Sequence, residues 1–107
     1  MQKEEAILNF PGLTIYPLQY QIRLEGRILE IGVKEFEILL FLASSAGQVF
    51  SKEQIYQAVW NQIPINCENA VMCGISQLRK KIEKNPRKPK YIITVRGVGY
   101  KFMVPKE

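Results

Sequence analysis

The chain has 107 residues, of which 47% are hydrophobic and 23% are charged. This composition is typical of a single globular domain, here expected to span 1–107 with a core over about 7–104. The chain contains no His and no Asp, which excludes histidine bases, Ser-His-Asp triads and histidine-based metal sites. We therefore expect no catalytic activity and no cofactor.

The sequence shows neither a run of about 18 apolar residues nor the charged-then-apolar order of a signal peptide at its N-terminus. Cys67 and Cys73 lie six residues apart. On one helix their Cα atoms would be about 9 Å apart, too far for a disulfide. These features predict a cytoplasmic protein without membrane contact.

The positive charge is concentrated in one segment. Between positions 79 and 101 there are nine Lys or Arg residues and one acid, Glu83, a net charge of +8. The remaining six basic and nine acidic residues give −3, which agrees with the total of +5. A mildly acidic chain with one strongly cationic segment favours a polyanionic partner, and nucleic acid is the leading candidate.

The first third of the chain is predicted to form a small antiparallel sheet. Short strands are indicated over 7–10, 13–16, 21–24 and 28–31. The turn dipeptides Pro11-Gly12 and Glu25-Gly26 separate strands with alternating apolar residues. We expect this sheet to bury one face and to serve as a packing element.

A first helix is predicted to begin after Gly32, which is acceptable as an N-cap, with Glu35 at the third helical position. Its apolar stripe consists of Phe36, Leu39, Leu40 and Ala43. Gly47 lies just past its expected end, in the place of a left-handed terminating residue.

A second helix has a clear predicted start. Ser51 and Gln54 match a capping box, and Phe50 and Ile55 match a hydrophobic staple. The predicted buried stripe consists of Ile55, Ala58 and Val59, and Trp60 closes it. A loop over 61–66, from Asn61 to Asn66, follows.

A third helix is predicted over about 68–84. At about 100° per residue its core face consists of Val71, Ile75, Leu78 and Ile82. The opposite, polar face consists of Asn69, Cys73, Ser76, Gln77, Lys80 and Lys84, with Arg79 on one flank. A β-hairpin is predicted over 91–104, and its turn contains Arg96, Gly97 and Gly99.

Three helices followed by a hairpin describe a winged helix-turn-helix of the α+β class. The major groove of DNA accommodates one helix, so the polar face of the third helix can reach base edges. Cations at the end of this helix, including Arg79 and Lys84, can meet phosphates. Arg96 in the hairpin can enter a narrow minor groove, where the negative potential is enhanced.

The sequence resembles the effector domain of the OmpR/PhoB family of two-component response regulators. The resemblance covers about 7–104 and is carried by five segments: KEFEILL at 34–40, GQVFSKEQ at 47–54, VW at 59–60, ISQLRKK at 75–81 and TVRGVGY at 94–100. It implies an N-terminal four-stranded antiparallel sheet, three helices and a C-terminal β-hairpin wing. It also implies transcription regulation by binding of double-stranded promoter DNA, usually as side-by-side copies on repeated half-sites.

The resemblance also implies roles for individual residues. Lys52, Trp60, Arg79 and Tyr100 would contact phosphates. Arg96, with Thr94, would contact the minor groove or its edge. The loop 61–66 would correspond to a segment that can contact RNA polymerase.

The chain departs from the family pattern on the third helix, at positions that the pattern assigns to the groove-facing side. Asn69, Met72 and Gly74 replace the usual Arg, Asp and His, and Gln77 stands where Arg is common. Asn69 and Gln77 can each pair bidentately with adenine. Altered specificity and lost specificity are both open. The alternative function is a protein-interaction module of this fold that docks on RNA polymerase or another regulator and binds DNA weakly or without specificity.

Overall fold

The computed structural model describes residues 6–106. The predicted termini, 1–5 and 107, lie outside the described residues, so the extent of the domain at both ends stays a prediction. One hydrophobic cluster joins the N-terminal sheet, the helices and the C-terminal hairpin. The three parts therefore share a core.

The N-terminal sheet contains four antiparallel strands in the order β1-β2-β3-β4. Its strands are β1 (Leu8–Phe10), β2 (Leu13–Tyr16), β3 (Gln21–Leu24) and β4 (Arg27–Leu29), with a 3-10 turn over Pro17–Gln19. Leu13, Ile15 and Ile22 are buried on one face of the sheet, which the alternation predicted. The fourth strand begins one residue earlier and ends two residues earlier than predicted.

Helix α1 (Val33–Ala43) begins after Gly32, as predicted. It buries Ile38 and Leu42 in addition to the predicted Phe36, Leu39 and Ala43, whereas Leu40 is only half-buried. The buried surface is wider than one stripe because α1 packs against α2, α3 and the wing.

The end of α1 differs from its prediction. The helix ends at Ala43, with Ser44 as a right-handed C-cap. Gly47 lies three residues further on at a φ of 91°. Its N–H donates to the Phe102 carbonyl at 2.8 Å. Gly47 therefore directs the chain toward the hairpin and does not cap the helix.

Helix α2 (Lys52–Trp60) begins with the predicted capping box. The Gln54 N–H donates to Ser51 Oγ at 3.1 Å, and the Ser51 N–H donates to Gln54 Oε1 at 2.8 Å. Ile55 and Val59 are buried. The prediction that Ala58 is buried is wrong: Ala58 is exposed, because α2 packs through the Ile55–Val59 line and position 58 lies at the edge of it.

Helix α3 (Glu68–Ile82) buries Val71, Ile75, Leu78 and Ile82, the four predicted core residues. It ends two residues before the predicted Lys84, because Glu83 takes an extended conformation as the C-cap.

The wing consists of β5 (Ile92–Val95) and β6 (Gly99–Phe102), which pair antiparallel. Gly97 forms the turn at a φ of 78°. The prediction that Gly99 also serves the turn is wrong. A Cβ at Gly99 would collide with the Phe50 carbonyl oxygen, so Gly99 allows β6 to approach the segment before α2.

Phe50 and Tyr100 bond to each other in both directions. The Phe50 N–H donates to the Tyr100 carbonyl at 2.8 Å, and the Tyr100 N–H donates to the Phe50 carbonyl at 2.9 Å. The predicted α+β winged helix-turn-helix, with a four-stranded sheet, three helices and a hairpin wing, is confirmed.

Candidate nucleic-acid interface

The side of α3 opposite the core is polar and open to solvent. All five residues predicted to face bases are exposed: Asn69, Cys73, Ser76, Gln77 and Lys80. Up to Gln77 this face carries amide, hydroxyl and thiol groups, and Lys80 is its first cation. The helix can therefore offer hydrogen-bond donors and acceptors to base edges over three turns.

Gly74 does not belong to this face, so its assignment to the groove-facing side is wrong. A Cβ at Gly74 would lie 2.6 Å from Ile38 Cδ1 of α1 and 3.8 Å from Trp60 Cη2 of α2. The glycine costs helix stability of about 1 kcal/mol relative to Ala. In exchange it lets α3 approach α1 closely.

Lys52 and Lys84 lie at two edges of α3. Lys52 is the first residue of α2 and lines a cleft with Glu68 and the wing turn. Lys84 is exposed just past the end of α3. Lys84 also lines a cleft with Gly12, Glu25 and Tyr91, and the phosphate contacts of both lysines stay predictions.

Trp60 is half-buried at the end of α2. Its ring stacks on Tyr56, with the ring centroids 5.0 Å apart. Lys34 Nζ lies 5.7 Å from the centroid of the Trp60 ring and donates to the Val59 carbonyl at 2.9 Å. Packing accounts for most of the Trp60 surface, and its phosphate contact stays a prediction.

Arg79 is directed toward the wing. Its Nη2 donates to the Ile92 carbonyl and to Thr94 Oγ1, both at 2.8 Å. Its guanidinium carbon lies 5.6 Å from the centroid of the Tyr100 ring. Burial lowers the pKa of the Arg79 guanidinium from its ordinary value, but an arginine remains charged at neutral pH.

The wing places Arg96 and Thr94 differently. Arg96 is exposed in the turn beside Gly97, where its side chain can extend away from the protein. Thr94 is exposed too, but its hydroxyl accepts the bond from Arg79. Tyr100 is only 7% exposed. The DNA contacts of these three residues remain predictions.

The sequence alone did not indicate a role for Glu83. It is 7% exposed, and its carboxylate accepts bonds from three consecutive backbone N–H groups. The distances are 2.8 Å from Lys90, 3.1 Å from Tyr91 and 2.9 Å from Ile92. The signal in the sequence was that Glu83 is the one acid in a segment with nine cations.

The outer surface of the cationic segment is more positive than the sequence suggests, because Glu83 is turned inward. Lys80, Lys84, Arg87, Lys88, Lys90 and Arg96 are exposed. Lys81 is in part neutralised, since its Nζ lies 2.9 Å from Glu35 Oε1 of α1. The same carboxylate lies against the start of its own helix, because a Cβ on Gly32 would collide with Glu35 Oε2.

One group of potential metal ligands lies where α2 and α3 begin. The ligand atoms of Glu53, Cys67 and Glu68 lie within 4.8 Å of one another. Burial, followed by the charges of Glu68 and Glu53, raises the pKa of the Cys67 thiol. Cys67 and Cys73 are both free thiols, as predicted.

The loop 61–66 exposes two isoleucines. Ile63 is 76% exposed and Ile65 is 68% exposed.

Within residues 6–106, no helix is long and apolar enough to cross a membrane.

Comparison with known proteins identifies the family. Residues 26–102 match the family described as "Transcriptional regulatory protein, C terminal". The chain belongs to this family. It is also 43% identical over 102 residues to the alkaline phosphatase synthesis transcriptional regulatory protein PhoP of Bacillus subtilis (strain 168). That match covers 95% of this chain and 42% of PhoP.

Two solved structures of the OmpR/PhoB type share the fold. The response regulator DrrB of Thermotoga maritima, an OmpR/PhoB homolog, is 37% identical with a TM-score of 0.83, over 91% of this chain and 44% of DrrB. The RstA DNA-binding domain of Klebsiella pneumoniae, solved in complex with the RstA box, is 32% identical with a TM-score of 0.85. That match covers 92% of this chain and 97% of the RstA domain.

The family membership confirms the predicted function, a DNA-binding domain of a transcriptional regulator, and this family is not a class of enzymes. The chain spans less than half the length of PhoP and of DrrB.

Proposed function

We propose that this domain binds double-stranded promoter DNA with the exposed face of α3 in the major groove and the wing at the adjacent minor groove. The observation that carries the proposal is the shared surface of the two elements. Met72, Ser76 and Lys80 of α3 line one cleft with Tyr100 of the wing. A ligand seated on the polar helix face would therefore also contact the wing.

The exposed side chains of α3 favour a half-site rich in A·T pairs. Asn69 and Gln77 are exposed amides, the side chains that pair bidentately with adenine. Cys73 and the 48% exposed Met72 offer small and apolar contacts suited to the thymine methyl group. Ser76 pairs with either type of base, and Lys80 is placed for a guanine at the end of the site.

The phosphate contacts would come from residues around the edges of α3. Lys52 and Lys84 are the simplest candidates, because Lys52 lies at the start of α2 in a cleft with Glu68 and Lys84 is exposed just past the end of α3. Trp60 and Tyr100 can each add one donor from the indole N–H or the hydroxyl group. Arg79 is charged and could attract a DNA phosphate, but its guanidinium donates to Ile92 and Thr94 of the wing.

Salt dependence tests the proposed interface at the level of charge. A duplex selected from a random DNA pool is titrated with the protein at several salt concentrations. With about four to six phosphate contacts, log K should fall with log[salt] at a slope of about −4 to −6. A flat response would contradict DNA binding through these cations.

The two thiols test which face of α3 meets DNA. Cys73 is exposed on this face, whereas Cys67 is buried. A neutral alkylating reagent should modify Cys73 in the free protein, and saturating specific duplex should slow that reaction. Cys67 is the internal control and should react only after denaturation. Unchanged reactivity of Cys73 in the complex would exclude the proposed helix face.

The remaining functional assignments concern the whole protein. The domain would act in the cytoplasm, where the DNA lies and where unpaired cysteines are stable. It would act without catalysis, and copies would assemble side by side on repeated half-sites.

The loop 61–66 would contact RNA polymerase through Ile63 and Ile65, because two exposed isoleucines on a short loop suit a protein partner.

A further inference from the structure

Both backbone polar groups of Ile92 are bound by side chains of the recognition helix or its C-cap. The Ile92 N–H donates to Glu83 Oε2 at 2.9 Å. The Ile92 carbonyl accepts from Arg79 Nη2 at 2.8 Å and from Arg79 Nε at 3.2 Å. Arg79 and Glu83 are four residues apart, one helical turn. They bind the outer edge of β5 in the way that a neighbouring strand would.

These contacts extend along the strand on both sides of Ile92. Glu83 also accepts from the N–H groups of Lys90 and Tyr91, and Arg79 also donates to Thr94 Oγ1. Two side chains thus hold the stretch from Lys90 to Thr94, which leads into and includes most of β5, against the end of α3. Both use a formal charge on a half-buried or buried group, which makes the bonds stronger than neutral ones.

The opposite edge of the wing is held by backbone contacts. Phe50 bonds to Tyr100 in both directions, and the Gly47 N–H donates to the Phe102 carbonyl. The hairpin therefore stays attached to the domain through β6 even when the β5 contacts are weakened. Arg79 and Glu83, by contrast, bond the wing to α3 through β5.

We propose that Arg79 and Glu83 are positioning residues that set the distance between the recognition helix and the wing, so that one molecule engages the major and the minor groove together. Arg79 acts on DNA through the wing rather than as a primary phosphate contact. Glu83 is buried and carries a negative charge, so it acts on DNA only through the backbone that it holds. This inference rests on the proposed function.

Glu83→Gln is the most informative variant, because it keeps the size of the side chain and removes the charge that binds three N–H groups. The change also makes the protein more positive, which by itself strengthens DNA binding. Glu30→Gln is the matched control, since Glu30 is exposed and lies between β4 and α1. It makes the same change of net charge away from α3 and the wing.

The test is a double-mutant cycle with Arg96→Ala on a duplex with an A·T-rich minor groove. In the otherwise unchanged protein, Arg96→Ala should raise Kd about tenfold, as for the loss of one groove contact. With Glu83→Gln already present, the same change should raise Kd less than about twofold. With Glu30→Gln present, Arg96→Ala should still raise Kd about tenfold. Amide hydrogen exchange at Ile92 should be slow in the unchanged protein and faster in Glu83→Gln.

Two results would overturn the inference in different ways. An equal effect of Arg96→Ala in the unchanged and Glu83→Gln proteins would refute the positioning role and leave the proposed function intact. No effect of Arg96→Ala in the unchanged protein would refute the wing contact itself. If Glu83→Gln does not fold, Arg79→Lys replaces it in the cycle. Arg79→Lys keeps the charge but loses the forked contact with Ile92 and Thr94. The effect of Arg96→Ala in this variant is then compared with its effect in the unchanged protein, with the same interpretation.

Discussion

Gly74 of α3 and Ile38 of α1 lie in direct contact, so closely that a Cβ on Gly74 would lie 2.6 Å from Ile38 Cδ1. Ile38 is fully buried, so any shift of its terminal methyl group would have to be accommodated by the surrounding core. A residue that appears unfavourable in a helix therefore sets the packing of the recognition helix on the core.

Gly74→Ala tests this contact. The substitution gains about 1 kcal/mol of helix propensity, but overpacking in a tight core typically costs about 1–3 kcal/mol. We expect the free energy of unfolding to fall, measured by urea denaturation. Ile38→Val removes Cδ1 and serves as the background control, in which Gly74→Ala should be neutral or stabilising. If Gly74→Ala alone makes the protein more stable, the contact between Gly74 and Ile38 does not limit how closely α3 packs on α1.

Arg96→Ala and Lys84→Ala should differ in how they depend on DNA sequence. Loss of Arg96 should weaken binding mainly at sites with a narrow A·T-rich minor groove, because the potential there is most negative. Loss of Lys84 should weaken binding to all sequences alike and reduce the salt slope by about 1. Fluorescence anisotropy on paired A·T-rich and G·C-rich duplexes measures both effects. A uniform loss for Arg96→Ala would argue against a minor-groove contact.

The Tyr91 hydroxyl should make stability decrease at alkaline pH. Burial, followed by the charges of Glu25 and Glu83, raises the pKa of Tyr91 in the folded state. The folded protein therefore holds this proton more tightly than the unfolded chain. The resulting stability is complete below the unfolded value of about 10 and is lost as the pH rises through the folded pKa.

Tyr91→Phe should accordingly flatten the fall in unfolding free energy as the pH rises above about 10. At neutral pH it should cost about 1 kcal/mol, because the hydroxyl donates to the Pro11 carbonyl at 3.1 Å. Urea denaturation at a series of pH values measures both. An unchanged alkaline slope would assign the loss of stability to other groups.

Ile63→Ser with Ile65→Ser should separate protein contact from DNA contact. Both side chains are exposed on the loop 61–66, so the folded stability should change by less than about 0.5 kcal/mol. DNA affinity should stay the same, whereas transcription in a reconstituted assay with RNA polymerase should fall. Ala58→Ser, a change at an exposed site on α2, is the control. Unchanged transcription would remove the loop from the proposed polymerase contact.

Much of the fold could be predicted from local sequence. The Ser51–Gln54 capping box, the turn at Gly26 and the core stripe of α3 depend on residues within a few positions of one another, and the structure contains each of them. Ala58 was predicted wrongly, because the burial of a residue at the edge of a stripe depends on which elements pack beside it.

A winged helix with a cationic segment and a polar recognition face could be identified from the amino-acid pattern alone. Spacing, capping and charge are local properties, and five exposed residues on α3 follow from helical periodicity alone. The contacts of Glu83, Arg79, Gly74 and Gly99 became apparent only in the folded domain. Their partners are Ile92, Thr94, Ile38 and Phe50, residues between 9 and 49 positions away. Such contacts arise from the packing of whole elements, which no local pattern encodes.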